Sequence, residues 1–371
     1  MKKLKIAIAA EAVLCLIAVA GIICNRSSED LNGTVWTKSS SNSIEWAREA
    51  VSEGYIKWVD FSVSYEALCK AYEWDVNTYE EAVHVDWIEI LAYLGASYGG
   101  DFASHSKKLS KDMNKLVKKL TEDGCTMEEL TVDMKYYNYF EEAYRAVLGG
   151  MVGEYEIEKT DENGNKSWCK VYGLKAYSPI AKGFEYSHYD DFGSGRSYGY
   201  KRKHLGHDMM GQVGTPVIAV ESGYIEAIGW NQYGGWRIGI RSFDKKRYYY
   251  YAHMRQNYPY AEGLEEGSVV TAGDVIGYMG HTGYSTKENT NNIEVTHLHW
   301  GLELIFDESQ KESDNEIWVD VYPLTKFLYK HRSETAKQEG TKEWKRVNSM
   351  RDPEVEAYNV RKLNATLPQT N

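Results

Sequence analysis

Six of the ten histidines in this chain lie between residues 203 and 300: His204, His207, His253, His281, His297 and His299. Even scatter would place about a quarter of them there, and such a concentration of imidazoles marks a metal or acid–base site. His297-Leu298-His299 has the two-residue spacing that puts both rings on one face of a strand. Two imidazoles so placed can share one metal, or one can bind while the other moves a proton. His204-Leu205-Gly206-His207-Asp208 offers a neutral nitrogen and a carboxylate from what reads as an irregular, glycine-bearing loop. These two groups and one nitrogen of the His-x-His strand make a three-ligand site with a position left for water, and zinc suits that mixture of N and O donors. No His-Glu-x-x-His helix is present. The proton acceptor for a hydrolysis near neutral pH is therefore expected to be a histidine.

Short strands must position these groups. Between residues 216 and 305 the pattern alternates with period two and is cut by glycines, as in Pro216-Val217-Ile218-Ala219-Val220, Trp236-Arg237-Ile238-Gly239-Ile240 and Val275-Ile276-Gly277-Tyr278. That pattern predicts an antiparallel all-β domain. Upstream the periodicity is helical. Tyr65, Leu68, Cys69 and Tyr72 share one face, as do Trp87, Ile90, Leu91 and Leu94, and then Leu109, Met113, Leu116, Val117 and Leu120. Thr126 and Glu129 form a capping box ahead of Leu130. Asn42 with Glu45 reads as the start of a further helix. No chemical constellation occurs among these helices, and His84 and His105 stand alone.

Residues 6–24 are almost wholly apolar behind three lysines, and as a helix they would measure about 28 Å, one hydrocarbon thickness. The basic flank orients the rest of the chain outward. Ala18-Val19-Ala20 is a competing signal-peptide cleavage site, which would make the protein secreted. The net charge of −11 comes without a basic block, so nucleic-acid binding has no electrostatic footprint. Five widely spaced cysteines without a Cys-x-x-Cys pattern argue against a thiolate metal site and against a disulfide framework.

His204-x-Gly206-x-Asp208 followed by Gly214-Thr215-Pro216-Val217-x-Ala219 resembles the opening motif of the lysostaphin/LytM-type zinc metalloendopeptidases. Tyr251-x-His253-Met254 resembles their middle motif, and His297-Leu298-His299-Trp300-Gly301-x-Glu303 their final one, preceded by a similar glycine-rich run at residues 267–286. The resemblance covers about residues 175–310. It implies a compact β-sheet fold and hydrolysis of peptide bonds in peptidoglycan stems or cross-bridges. Carried over by position, it implies that His204, Asp208 and His299 bind Zn2+ and that His253 and His297 are catalytic, as proton-handling and oxyanion-stabilising groups whose division of labour the spacing leaves open. Trp300 stands where the family usually has Phe or Tyr, and the polar stretch 287–296 is longer than usual. His207 reads as a surface or supporting residue and His281 as solvent-exposed, while Tyr198, Tyr200 and Tyr233 are candidate cleft residues.

The expected fold class is multi-domain: a transmembrane helix or signal peptide over 1–25, a linker over 26–41, an all-α segment over 42–150, a linker over 151–175, an all-β antiparallel metallopeptidase domain over 176–330 and a charged, helical or unstructured tail over 331–371. The expected function is that of a membrane-anchored, single-pass zinc endopeptidase working outside the cytoplasm on peptidoglycan, with cell-wall or secretion-complex proteins as candidate partners. A non-catalytic scaffold or activator of other cell-wall enzymes is the alternative.

Overall fold

The computed structural model describes residues 56, 59–197, 201–311 and 313–366. Five helices come first: α1 (Tyr65–Thr78), α2 (Trp87–Tyr98), α3 (Ser106–Thr121), α4 (Met127–Thr131) and α5 (Tyr137–Leu148). Their starts follow local chemistry, because the first turn of a helix has backbone N–H groups without partners. Ser64 accepts from Ala67 N and Asp86 accepts from Ile88 N, while Thr126 and Glu129 make the reciprocal capping box read from the sequence. The stripe Leu109, Met113, Leu116, Val117 and Leu120 is buried, with the lysines of α3 outward.

Strands β1 (Val152–Thr160) and β2 (Lys166–Leu174) then pair as a long hairpin in the stretch expected to be a linker. The site-bearing part of the chain contributes β3 (Ser187–Tyr189), β4 (Gly195–Ser197), β5 (Lys201–Lys203), β6 (His207–Met210), β7 (Pro216–Ile218), β8 (Gly223–Asn231), β9 (Gly235–Ser242) and β10 (Arg247–Ala252). It continues with β11 (Val269–Val270), β12 (Val275–Tyr278), β13 (His297–Leu304), β14 (Ile317–Trp318) and the short helix α6 (Tyr322–Leu328). The central antiparallel sheet runs in the order β11-β8-β9-β10-β13-β6-β3, with β14 also on β13. β4 and β5 form a separate hairpin that leads into His204.

The expected division into a membrane helix, an all-α segment and an all-β domain is corrected by this architecture. The fold is mostly β with a helical N-terminal part, and all described residues belong to one compact unit. The helical stripes and the inner face of the sheet bury their apolar side chains in a common core. Phe327 of α6 stacks on Trp87 and meets Tyr72 edge-on, so one side chain joins two N-terminal helices to the end of the sheet domain. Among the described residues no helix is long and apolar enough to cross a membrane. The membrane helix expected over 1–25, the linker over 26–41 and the helix start at Asn42 lie outside the described residues.

Two buried ionic clusters complete the join. Arg247, fully enclosed, forks onto both oxygens of Glu221 (2.7 and 3.0 Å) and donates to the Ala146 carbonyl at the end of α5 (3.0 Å). Lys175 pairs with Asp352 (3.1 Å) and Glu354 (2.7 Å), and Ser222 donates to Asp352 (2.6 Å). The charged C-terminal stretch is drawn in by these groups and folds as β15 (Thr335–Lys337), β16 (Trp344–Arg346), β17 (Met350–Arg351) on β1, and α7 (Pro353–Thr366). Cys69, Cys125 and Cys169 are free thiols.

Removing one partner of a buried ion pair strands the other charge, so Arg247→Ala should lower stability by about 3–5 kcal/mol in a denaturant titration. Glu303 is buried on β13 with Oε1 unpartnered. Burial and, after it, the charge of Glu316 push its carboxyl up to about 8 against the pull of Lys311 and Arg241. A folded-state pKa above the unfolded value favours the protonated form, so this group stabilises the fold fully at acidic pH and loses that contribution as pH rises towards 8. Glu303→Gln should therefore gain in melting temperature over the parent between pH 5 and pH 8, with little gain at pH 5.

Candidate metal centre

Pairing of β6 with β13 sets Asp208 directly opposite His299 and Met210 opposite His297. Cross-strand partners share a face, so the register alone brings a carboxylate and an imidazole together and keeps His297 two residues along on the same side. The third group comes from the other direction. The β4–β5 hairpin extends to His204, whose N–H donates to the Ser194 carbonyl (2.9 Å), and Leu205-Gly206 then turns the chain into β6.

His204 Nε2, Asp208 Oδ1 and His299 Nδ1 form a triangle with edges of 3.0, 2.9 and 2.9 Å. Among the described residues these are the groups that could hold a metal ion. Asp208 is almost fully buried; burial opposes its ionisation, but hydrogen bonds from His204 and His299 outweigh it and hold the carboxyl well below the usual carboxylate range. His299 is pushed down to about 4, first by burial, with Asp208 acting in the opposite sense. Near neutral pH the cluster is thus a carboxylate facing an uncharged imidazole and His204. Asp191 Oδ1 sits 2.6 Å from His204 Nδ1, on the side of the ring away from the triangle. Two imidazole nitrogens and one carboxylate oxygen converging in this way fit a small cation of the zinc type.

His253 and His297 flank the triangle. His253 follows β10 with φ of 61°, a left-handed conformation uncommon for a side chain of its size. It is held there by its N–H on the Gly234 carbonyl (2.7 Å) and by Nδ1 on the Thr282 carbonyl (2.9 Å). His297 Nδ1 faces the Val295 carbonyl at 2.7 Å. A carbonyl only accepts, so both rings carry their proton on Nδ1 and present Nε2 as an acceptor. The His297 Nε2 is buried without a hydrogen-bond partner, 3.7 Å from Asp208 Oδ2. The rings of His253 and His297 lie 4.7 Å apart, and burial, then the charges of His297 and His299, keep His253 well below its ordinary range.

All five site residues expected from the sequence therefore meet in one place. His207 does not join them: it alternates to the opposite face, is buried, and contacts His188 Nδ1 at 2.8 Å. His281 is half-buried against the Ile293 carbonyl. Tyr198 and Tyr200 lie outside the described residues, whereas Tyr233 stands beside the site next to Arg202. The long polar stretch after Ser285 is pinned as a wall, with Asn289 accepting from Trp236 Nε1 (2.9 Å) and from Asn257 N (2.9 Å). Sequence reasoning passed over Asp191 and Arg196. Arg196 Nη2 reaches Asp208 Oδ2 (2.8 Å) and Asp191 (2.9 Å), tying the two acidic groups together. The only signal was their place in a glycine-bearing stretch just before His204.

Gly206 has a steric duty. A Cβ at this position would lie 2.5 Å from His299 Cε1 and 2.6 Å from Nε2, so any larger residue displaces a donor ring. Gly206→Ala should weaken zinc affinity at least tenfold, read by competition with a chromogenic chelator, while far-ultraviolet circular dichroism stays close to that of the parent.

Comparison with known proteins agrees with the site. Residues 202–315 match peptidase family M23. The L-Ala–D-Glu endopeptidase of Bacillus subtilis (strain 168) is 36% identical over 146 residues, which are 39% of this chain and 41% of that protein. Lysostaphin of Staphylococcus staphylolyticus is 37% identical over 98 residues, 26% of this chain and 18% of that protein. The chain thus spans less than half the length of these relatives. The crystal structure of a protein called lytM from Ruminococcus gnavus ATCC 29149 overlays at a TM-score of 0.49 with 24% identity, covering 78% of this chain and 96% of that one. The chain carries a peptidase family M23 domain at residues 202–315, and its three donor groups and two flanking histidines all lie inside it.

Proposed function

We propose that this protein is a zinc metalloendopeptidase that hydrolyses peptide bonds of peptidoglycan stem peptides or cross-bridges. The observation that carries this reading is the triangle of His204 Nε2, Asp208 Oδ1 and His299 Nδ1 beside two imidazoles that keep Nε2 as an acceptor. The endopeptidase name of the B. subtilis relative supports the substrate class. Peptidoglycan lies outside the cytoplasm, so the domain is proposed to act there.

His204, Asp208 and His299 would hold the zinc. When bound, zinc supplies a Lewis acid for the scissile carbonyl and lowers the pKa of a water to about 7. The chain's own part is proton handling and positioning. His253 is an uncharged acceptor at neutral pH, and both rings hold their Nδ1 protons on backbone carbonyls, so neither has to reorient before it takes a proton at Nε2. A proton taken up at His297 would face Asp208 Oδ2, whose negative charge stabilises the imidazolium until the departing amine collects the proton. The other ring, His253, with its Nδ1 proton likewise held on a carbonyl, would accept at Nε2 and so help to orient the attacking water. Arg196 and Asp191 keep the donor groups from drifting, which matters because a displacement of about 1 Å costs on the order of a hundredfold in rate.

The test is to incubate the zinc-loaded chain with purified peptidoglycan and identify released fragments by mass spectrometry. Release should stop with a chelator and resume when zinc is restored. Asp208→Ala and His299→Ala should lose both bound zinc and activity. His253→Ala and His297→Ala should keep stoichiometric zinc and lower turnover by about 10²–10⁴-fold. Undiminished cleavage by Asp208→Ala would overturn the assignment, and bound zinc without cleavage of any wall preparation would favour the scaffold alternative.

A further inference from the structure

Arg202 is a cation beside the metal centre that pairs with no carboxylate among the described residues. Among the described residues Arg196, Arg241, Arg247 and Arg346 are each paired with Asp or Glu. Arg202 instead lies over two aromatic rings, 5.0 Å from the centre of Tyr284 and 5.8 Å from that of Tyr233, and donates through Nη2 to the Tyr284 hydroxyl. Its Nε is buried and has no hydrogen-bond partner.

The hairpin explains how this group reaches the cleft. Arg202 on β5 is the register partner of Arg196 on β4, so the two guanidinium groups leave the same face. Arg202 is also two residues from His204, which continues the strand spacing and shares that face. Of this arginine pair, one is spent on Asp208 and Asp191. The other lies against Tyr284 and Tyr233. Tyr284, on which it rests, packs edge-on against His253 at 6.1 Å. A single tyrosine ring therefore separates the guanidinium from a histidine of the site, a span that roughly three residues of extended peptide cover at about 3.3 Å each.

We propose that Arg202 is the anchor for a carboxylate of the bound peptide, and hence that the preferred substrate is an acidic stem peptide and not an uncharged glycyl bridge. This rests on the peptidase reading above and adds a specificity determinant to it. The chemistry is that of the planar guanidinium, whose outer N–H groups match a carboxylate in a charge-assisted, two-pronged hydrogen bond. Stacking on Tyr233 and Tyr284 holds the guanidinium in place beforehand, so little side-chain entropy is lost when the peptide docks. A carboxamide presents only one acceptor oxygen and no charge, and oligoglycine presents neither group within the chain.

The experiment uses the zinc-loaded full chain and three synthetic peptides: one with a D-glutamate whose carboxylate is free, the same peptide with that group as a carboxamide, and an oligoglycine. Cleavage is followed by chromatography and equilibrium binding by calorimetry, for the parent, Arg202→Gln and Arg202→Lys. The parent should favour the carboxylate peptide over the carboxamide by about tenfold or more in kcat/KM, in line with a hydrogen bond to a charged group. Arg202→Gln should bring that ratio to within about twofold of one by raising KM for the carboxylate peptide, at unchanged zinc stoichiometry, and Arg202→Lys should recover part of it. A parent that does not distinguish the two peptides, prefers oligoglycine, or keeps its preference in Arg202→Gln overturns the anchor. Carboxylate-dependent binding that needs Arg202, without cleavage of any peptide, would sustain the anchor and sink the peptidase reading.

Discussion

The antiparallel pairing of β6 with β13 is the constraint on which the rest depends. It sets Asp208 across from His299 and fixes their separation by the geometry of a sheet rather than by side-chain choice. A slip of one residue would bring His207 opposite His299 and turn Asp208 towards the apolar core, because alternate residues face opposite ways. The register is held from both sides. Leu298 and Trp300 bury their side chains on the core face, and β10 locks the far edge of β13 by pairing Ala252 with His299. The cleft face is thereby free to carry polar groups without having to contribute to packing.

Around this pair the chain spends buried charge in two ways. Arg247 with Glu221, and Lys175 with Asp352, have both members enclosed and satisfied, and they tie the helices and the C-terminal stretch to the sheet. The hairpin before His204 is different in kind. Arg196 takes the outer oxygen of Asp208 and so leaves the inner oxygen for the metal triangle, while Asp191 approaches the far side of the His204 ring. Arg202, its neighbour across the hairpin, keeps its charge for something outside the fold. One short hairpin thus positions the donors on one strand and addresses the ligand on the other.

The helical part has a structural role in this arrangement. Its stripes are buried against the sheet and against α6, and the carbonyl of Ala146 at the end of α5 receives Arg247. It contributes no donor to the metal triangle, in keeping with the absence of a chemical constellation in its sequence. The β1–β2 hairpin and β17 close the same side, which is why a stretch of high charge and low apolar content at the C-terminus is nonetheless ordered.

The sequence by itself was sufficient for the local features. Helix stripes such as Leu109 to Leu120, the Thr126 capping box, and the shared face of His297 and His299 follow from periods of 3.6 and 2, which are properties of the backbone. The grouping of His204, Asp208, His253, His297 and His299 was legible because a metal site needs particular residue types at spacings that a resemblance could supply. What the sequence did not determine was every relation between distant segments. Residues 151–175 look like a linker until β1 finds β17 almost two hundred residues away, and the charged tail looks unstructured until Asp352 meets Lys175 and Ser222. Asp191, Arg196 and Arg202 are ordinary charged residues in the sequence, and only the hairpin register separates the two that brace the donors from the one left unpaired. Those distinctions rest on which groups exclude water from one another, and that is decided only when the whole core has closed.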